Sequence, residues 1–160
     1  MEGLLTQHSL RIRPAEHRDL EQLKSLYCQL DENCNTNLED LSESLTNIIR
    51  SPHTHIIVGE INKEVVVACT LVVYENFARA PQRKGLIDSF IVAPKFRRQG
   101  FGTKMLEWVV DALRRDRCVQ VLITVPKGLL KNSENLKRLG FEVAGECYIN
   151  VHDFKVRTHK

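Results

Sequence analysis

The sequence lacks any apolar stretch that approaches the roughly 18 residues needed for a membrane-spanning helix. Its N-terminal stretch, MEGLLTQHSL, has an acidic residue at position 2 and no positively charged cluster, so it is not typical of a secretory signal. We therefore expect a cytoplasmic protein that has no membrane partner.

Cysteine is scarce and forms no C-x-x-C motif. The five cysteines are Cys28, Cys34, Cys69, Cys118 and Cys147. Their scattered positions argue against a disulfide framework and a zinc site, and we expect small buried thiols instead. His53 and His55 lie two residues apart, but no third ligand is near them in sequence. We expect no metal.

Charge of one sign and aromatic residues are also in short supply. The formal net charge is only +3, and aromatic residues make up 6% of the chain. Nucleic-acid-binding proteins usually have a stronger basic surface and aromatic stacking groups, so we expect no nucleic-acid partner. With 42% hydrophobic and 27% charged residues, the composition is that of a single globular domain over residues 1–160.

Hydrophobic periodicity predicts the order β-α-α-β-β-β-α-β-α-β. The first half should contain a strand at 9–13, a helix at 16–30, a helix opening at a Thr36–Glu39 capping box, and a hairpin of strands 55–60 and 64–74. The second half should contain a strand at 85–93, a helix ending at Arg114–Arg115, a buried strand at 119–125, a helix at 132–139 closed by Gly140, and one or two strands within 142–151.

The stretch APKFRRQGFGTKML, Ala93 to Leu106, joins a predicted strand to a predicted helix. The first turn of a helix exposes unpaired N–H groups, and glycine lets a ligand approach the backbone closely. Arg97 and Arg98 add charged donors. These features favour a phosphate or pyrophosphate site, although a solvated turn remains an alternative. The Walker and G-x-G-x-x-G patterns are absent.

The pattern R-x-x-G-x-G at Arg97, Gly100 and Gly102 resembles the pyrophosphate loop of the GNAT superfamily of acyl-CoA-dependent N-acyltransferases. The preceding strand IVAPKF, the following helix and the later LGF at 139–141 extend the resemblance over nearly the whole chain. It implies an α+β fold with a mixed, mostly antiparallel sheet of six to seven strands. About four helices would flank the sheet, which would splay in the middle to admit the cofactor.

The resemblance also implies which residues hold acetyl-CoA. Strand 88–92 should separate from strand 119–125, leaving backbone groups of Phe90, Ile91 and Val92 to pair with the pantetheine amides. The residues implied for the pyrophosphate are Arg97, Arg98, Gln99, Gly100, Phe101, Gly102 and Thr103. Asn132 should touch the pantetheine arm, and Ser133 is a further candidate.

Asp88 is the candidate catalytic residue. The stretch from Thr70 to Gly102 resembles glucosamine-6-phosphate N-acetyltransferase and related small-amine enzymes, which carry an acidic residue at this place. In an alternating strand Asp88 would share a face with Leu86, Phe90 and Val92. A buried carboxylate has a raised pKa and can accept a proton. Pairing with Arg83 or Lys84, or simple orientation of an amine, stays open.

One position departs from the family. A tyrosine that acts as general acid often stands five residues before the phenylalanine of GF, and here that position is Leu136. Leucine cannot donate a proton, so the thiolate would leave unaided or Tyr148 would substitute. Poor or absent activity is the third alternative, and we assign no general acid.

The predicted function is acetyl transfer from acetyl-CoA to a primary amine of a small molecule, with an amino sugar phosphate as one option. The amine would attack directly within a ternary complex. The alternatives are a non-catalytic acyl-CoA-binding module and a peptide or protein acetyltransferase. A homodimer is expected by family analogy.

Overall fold

The computed structural model describes residues 9–29, 34, 36–78, 81–125 and 133–145. The chain divides into two compact units, Met1–Leu130 and Lys131–Lys160, which are described in turn. The single domain expected over residues 1–160 stays a prediction.

The first unit is built on a five-stranded sheet in the order β1-β2-β3-β4-β5. Neighbouring strands are antiparallel except β4 and β5, which are parallel. The strands are β1 (Arg11–Pro14), β2 (Thr54–Ile61), β3 (Glu64–Asn76), β4 (Gln82–Val92) and β5 (Cys118–Ile123). The helices are α1 (Leu20–Tyr27), α2 (Leu38–Arg50) and α3 (Phe101–Arg115), with short 3-10 helices at His17–Asp19 and Pro94–Phe96.

The predicted fold class is confirmed, with five strands in the described residues instead of six to seven. Residues 141–145 form no strand, and the rest of the predicted 142–151 strand region lies outside the described residues. β5 also differs from the expected buried strand, because the Val119 side chain is 62% exposed. Its neighbours along the strand alternate between half-buried and exposed.

The helices cover the two faces of the sheet. On one face, α1 and α2 form a core with strand residues; its members include Leu23, Leu26, Leu45, Val58, Ala68 and Ile91. On the other face lies α3, whose buried side chains are Met105, Leu106, Val109 and Leu113. A Cβ at Gly85 of β4 would come within 2.7 Å of Leu113. Glycine thus lets α3 pack closely on β4.

Helix starts and turns follow local side-chain chemistry. The N-cap of α2 is Asn37, whose side chain accepts the N–H of Glu39 at 3.1 Å. The expected Thr36 cap is therefore wrong by one residue. The β2–β3 hairpin turns at Asn62 and Lys63, both with positive φ (49° and 68°), as a two-residue hairpin turn of type I′ requires.

A buried ionic network joins β1, β2 and the entry to α1. The Arg13 guanidinium donates to Asp19 at 2.7 and 2.9 Å and to Glu60 at 2.6 Å. Asp19 also accepts the backbone N–H of Glu16 at 2.8 Å. Burial raises the pKa of Asp19, but the bonds from Arg13 and Glu16 outweigh it, so this pKa lies below its usual value. The bond from Arg13 likewise lowers the pKa of Glu60.

Cys28 and Cys34 form a disulfide, with their Cα atoms 5.1 Å apart. The expectation of unbridged thiols is therefore wrong for this pair. The missing C-x-x-C motif argues against a zinc site or a framework, but a local bridge between residues six positions apart needs no motif. Cys69 is buried and free, as expected, and burial raises its pKa to about 12. Cys147 lies outside the described residues.

The second unit contains helix α4 (Ser133–Arg138). Gly140 has φ 83°, and its N–H donates to the carbonyl of Lys137 at 2.9 Å. The N–H of Phe141 donates to the carbonyl of Leu136, also at 2.9 Å. These two bonds are a Schellman motif, which confirms the predicted role of Gly140 as the residue that ends the helix.

Candidate functional site

β4 and β5 separate halfway along β4. Their register runs from Arg83↔Cys118 to Ile87↔Ile123, and the N–H of Thr124 donates to the carbonyl of Ile87 at 3.1 Å. Among the described residues no pairing continues past this point. The predicted separation of the two strands is thus confirmed, and the edge of β4 from Asp88 to Val92 is left without a strand partner in this part of the chain.

A β-bulge lies at the point of separation. Asp88 pairs with Thr70 and Ile91 pairs with Ala68, so Ser89 and Phe90 together oppose the single residue Cys69. Ser89 has φ 50°, in the left-handed region. The extra residue shifts the alternation of the strand. As a result Asp88 and Ile91 lie on the same face.

The bulge overturns one prediction about faces. Val92 pairs with Val67, on the face opposite to Ala68 and Ile91. A Cβ at Gly102 of α3 would lie 3.2 Å from Val92 and 3.5 Å from Phe90, so both side chains are on the α3 side. Asp88 therefore shares the α1–α2 face with Leu86. Strict alternation also predicted Phe90 and Val92 on this face, but both lie on the α3 face.

Asp88 is exposed, so the expectation of a buried carboxylate is wrong. It accepts a hydrogen bond from the hydroxyl of Thr124, just beyond β5. The alternative of an ion pair with Arg83 is wrong as well, because Arg83 pairs with Asp116 at 2.6 Å and Glu75 at 3.2 Å. No ion pair joins Lys84 to Asp88 within the described ranges. Asp88 is thus oriented by a hydroxyl and is open to solvent at the separation of the strands.

Tyr27, at the end of α1, is a residue that the sequence patterns did not single out. Its hydroxyl is buried and makes no hydrogen bond of good geometry within the described residues, although Thr70 lies beside it. Burial raises the pKa of Tyr27, the Thr70 hydroxyl opposes this rise, and the Asp88 carboxylate adds to it. A buried hydroxyl without a well-formed hydrogen bond is rare in a folded protein and therefore needs an explanation. Its only sequence signal was its place at the end of an amphipathic helix.

The loop between β4 and α3 exposes the predicted donors. Gly100 caps α3 with φ 84°, and the first helical bond runs from the N–H of Lys104 to the carbonyl of Gly100 at 3.0 Å. The N–H groups of Phe101, Gly102 and Thr103 therefore have no acceptor within the helix. Arg98 is exposed, with φ 59°. An anion can bind at this helix end.

Two side chains hold the loop in place. Arg97 Nε donates to the carbonyl of Val92 at 3.0 Å, and Gln99 Nε2 donates to the carbonyl of Lys95 at 2.8 Å. The contact of Gly102 with Val92 and Phe90 keeps the start of α3 against β4. The free N–H groups of α3 and the unpaired edge of β4 are therefore neighbours. This arrangement suits an extended amide-bearing chain that ends in a diphosphate.

The structure thus brings together most of the predicted binding residues, namely Phe90, Ile91, Val92, Arg97, Arg98, Gln99, Gly100, Phe101, Gly102 and Thr103. Asn132 and Tyr148 lie outside the described residues, as does the side chain of Ser133, which begins α4. No group of three potential metal ligands occurs among the described residues, and none of the helices described is long and apolar enough to cross a membrane.

Known proteins share this architecture. The family model described as the Acetyltransferase (GNAT) family matches residues 18–141. A relative from Archaeoglobus fulgidus, described as an uncharacterized N-acetyltransferase, is 29% identical over 120 residues, 71% of this chain and 80% of that protein. Glucosamine-6-phosphate N-acetyltransferase from Arabidopsis thaliana aligns with a TM-score of 0.80 at 19% identity, covering 91% of this chain and 99% of that one.

A third similar structure is an aminoglycoside N-acetyltransferase in complex with CoA, with a TM-score of 0.77 at 13% identity. It covers 93% of this chain and 98% of that one. At such identities the two solved structures support the fold and not the substrate.

Proposed function

Because the chain belongs to the Acetyltransferase (GNAT) family, a family of acetyl-CoA-dependent acetyltransferases, we propose that it acetylates the primary amine of a small molecule. The resemblance drawn from Arg97, Gly100 and Gly102 is thereby confirmed. The observation that carries the proposal is the unpaired edge of β4 beside the free N–H groups of α3. Two similar structures are named for small-molecule amines, glucosamine 6-phosphate and aminoglycosides.

The residues present fit acetyl-CoA. In the proposal, N–H groups of residues 98–103 and the Arg98 guanidinium bind the pyrophosphate, because residues 98–100 are exposed, residues 101–103 are half-buried, and none of these groups has an acceptor among the described residues. Backbone groups of Phe90, Ile91 and Val92 bind the pantetheine amides in the way that a neighbouring strand would. Asn132 and Ser133 stay predictions.

The reaction proposed is direct attack by the amine. Its nitrogen adds to the thioester carbonyl, a C–N bond forms, and the C–S bond breaks to release the CoA thiolate. Asp88 takes the proton from the nitrogen, directly or through water, while Thr124 holds the carboxylate in position. Much of the rate comes from holding the two substrates together. We assign no residue that protonates the thiolate, whose conjugate acid has a pKa of about 8.5.

Turnover by the whole protein tests this proposal. The protein is mixed with acetyl-CoA and a panel of amino sugars, polyamines, aryl amines and short peptides, and acetylated product is followed by mass spectrometry. Detecting the product avoids thiol reagents, which would react with the free Cys118. We expect turnover of at least one small amine, together with a melting temperature that acetyl-CoA raises.

Arg98→Ala tests the loop against a matched arginine. We expect it to raise the KM for acetyl-CoA about tenfold, because a charge-assisted contact is lost. Arg115→Ala, at the other end of α3, should leave this KM unchanged. Stabilisation by acetyl-CoA without turnover of any amine would favour the non-catalytic alternative, and turnover of peptides alone would favour the protein acetyltransferase. Absence of both turnover and stabilisation by acetyl-CoA would overturn the proposal. A cytoplasmic location and a homodimer stay predictions.

A further inference from the structure

A cavity of about 300 Å³ lies between α1, α2 and β2. Its aliphatic lining consists of Leu20, Leu23, Leu41, Leu45, Ile48 and Ile56. Polar side chains are the minority: Lys24, Tyr27, Thr36 and Ser44. The volume is at the lower end of the range for small-molecule sites, roughly 300–1,000 Å³. It is therefore large enough for one small apolar group.

One wall of the cavity belongs to the row of paired residues that ends at the candidate catalytic carboxylate, although Thr70 and Asp88 do not line the cavity themselves. Ile56 in its wall pairs with Thr70, and Thr70 pairs with Asp88, so the three residues form one row on the same face of the sheet. Directly paired side chains lie about 5 Å apart, which puts Asp88 roughly 10 Å from Ile56. Tyr27 lines the cavity and lies beside Thr70. A ligand about two side chains long would reach from the cavity to Asp88.

We propose that this cavity binds the apolar part of the acceptor, and that the acceptor is a phenylalkylamine or a similar aryl-alkyl amine. The inference rests on the proposed function and names its substrate class. An aromatic ring in the cavity would place an amine on a short alkyl arm near Asp88, past Tyr27. The buried hydroxyl of Tyr27 has no good hydrogen bond among the described residues, so it is available to the ligand.

The lining disfavours an amino sugar phosphate. Each sugar hydroxyl that leaves water needs a hydrogen-bond partner, and a buried phosphate needs several cationic or N–H donors. Lys24 is the one cationic side chain in the lining, and Ser44 is exposed on α2 at the rim of the cavity. Apart from the Tyr27 and Thr36 hydroxyls and Cys34, aliphatic side chains form the rest of the lining. An aromatic ring meets this lining without losing hydrogen bonds.

Substrate preference in the unmodified protein is the first test. The kcat/KM for 2-phenylethylamine should exceed that for glucosamine 6-phosphate by about tenfold or more. The aliphatic lining matches the aromatic ring, whereas it would leave the sugar hydroxyls and the phosphate without hydrogen-bond partners. Calorimetric titration of 2-phenylethylamine into the protein with CoA should give saturable binding. Comparable or better use of glucosamine 6-phosphate, or no binding of the amine, would overturn the inference.

Filling the cavity is the second test. Ser44→Trp should raise the KM for 2-phenylethylamine about tenfold or more and leave the KM for acetyl-CoA unchanged. Asn47→Trp is the matched control, because Asn47 is exposed on the same helix but does not line the cavity. Ser44→Phe serves if the larger change unfolds the protein. Equal effects of the changes at positions 44 and 47 would overturn the inference.

These outcomes separate the inference from the proposed function. Acetylation of amino sugars with 2-phenylethylamine ignored would reject the apolar acceptor and leave acetyl transfer intact. Absence of turnover with every amine would reject acetyl transfer. Calorimetric titration of 2-phenylethylamine into Ser44→Trp and Asn47→Trp, each with CoA, would then still decide whether the cavity binds aryl-alkyl amines.

Discussion

The two faces of β4 offer different chemistry. On the α3 side most of the available groups belong to the backbone, namely the strand edge and the first N–H groups of the helix, held close by Gly102, and the exposed Arg98 guanidinium adds one side chain. On the α1–α2 side they belong to side chains: an aliphatic cavity, a buried tyrosine hydroxyl and the Asp88 carboxylate. Backbone donors are present whatever the side chain, so they suit a ligand common to many related proteins. Side chains change with each substitution, so they can set which ligand a particular protein binds.

Asp88→Asn tests the residue where the proposed sites meet, and we expect the largest effect there. The amide keeps the shape but is a poor base, so kcat should fall about 10²–10⁴-fold. Stabilisation by acetyl-CoA, measured by thermal unfolding, should be unchanged. Unaltered turnover between pH 6 and 9 would remove Asp88 from the mechanism.

Arg13→Met tests the support of the α1 side. It leaves Asp19 and Glu60 without their buried partner, so the free energy of unfolding should fall by about 3–5 kcal/mol in denaturant titration. The pKa values of both carboxyl groups are lowered in the folded state, so their stabilising effect is present above their unfolded pKa values and is lost as the pH falls.

The pH dependence of the unfolding free energy, compared between wild type and Arg13→Met, provides the control. Wild-type stability should decline as the pH falls below the ordinary pKa values of aspartate and glutamate, about 4. Arg13→Met should show a weaker decline, because its carboxyl groups have lost the cation that lowered their pKa values. Parallel pH profiles for the two proteins would contradict this account.

Cys34→Ser sharpens the comparison on the amine side. Loss of the Cys28–Cys34 bridge should lower the free energy of unfolding by about 2 kcal/mol, since the loop that it closes is short. Because Cys34 lines the cavity, the KM for the amine should change more than that for acetyl-CoA. Cys118→Ser, which removes a free thiol, is the control and should have little effect on either.

Gly100→Val perturbs the α3 side. A β-branched residue at φ 84° is strained, so stability should fall by roughly 1–2 kcal/mol and the KM for acetyl-CoA should rise. Arg117→Val places valine at φ 60° beyond the other end of α3. It should also lose stability, though less than Gly100→Val because arginine already occupies the left-handed region there, and it should keep the KM for acetyl-CoA. A raised KM in both variants would show that strain alone is responsible.

Tyr27→Phe should have the smallest effect on stability. The hydroxyl that it removes is buried without a good hydrogen bond among the described residues, so the unfolding free energy should stay within about 1 kcal/mol of the wild type. The KM for the amine should rise modestly if the ligand uses this hydroxyl. A large loss of stability would mean that the hydroxyl is well bonded in the protein.

The sequence predicts the α3 side much better than the α1–α2 side. Arg97, Gly100 and Gly102 lie within six positions, so a local pattern is enough to indicate the family to which the chain belongs. The residues that line the cavity are spread over the sequence between positions 20 and 56. The hydrophobic periodicity of α1 and α2 does not show that the two helices leave a space between them. Likewise Arg13 and Glu60 are 47 positions apart, and only the pairing of β1 with β2 brings them together.

The error over Asp88 has a different cause. Strict alternation places Leu86 and Asp88 on the same face correctly, but it fails for the residues beyond Ser89. The bulge could not be foreseen from the sequence, because serine and not glycine has the positive φ there. The expectation of burial failed for the same stretch, since β5 leaves β4 at Ile87. Asp88 therefore lies at an open edge.

The bulge at Ser89 divides β4 into two parts in which the alternation of side chains between the two faces differs by one residue. Before it, even-numbered residues point to α1 and α2; after it, Ile91 does so and Val92 points to α3. A substitution in β4 therefore alters the α1–α2 layer or the α3 layer according to the alternation that holds on its own side of the bulge. Side chains on the α1–α2 face of β4 can therefore be exchanged without changing those that face α3, provided that the number of residues across Ser89 is kept.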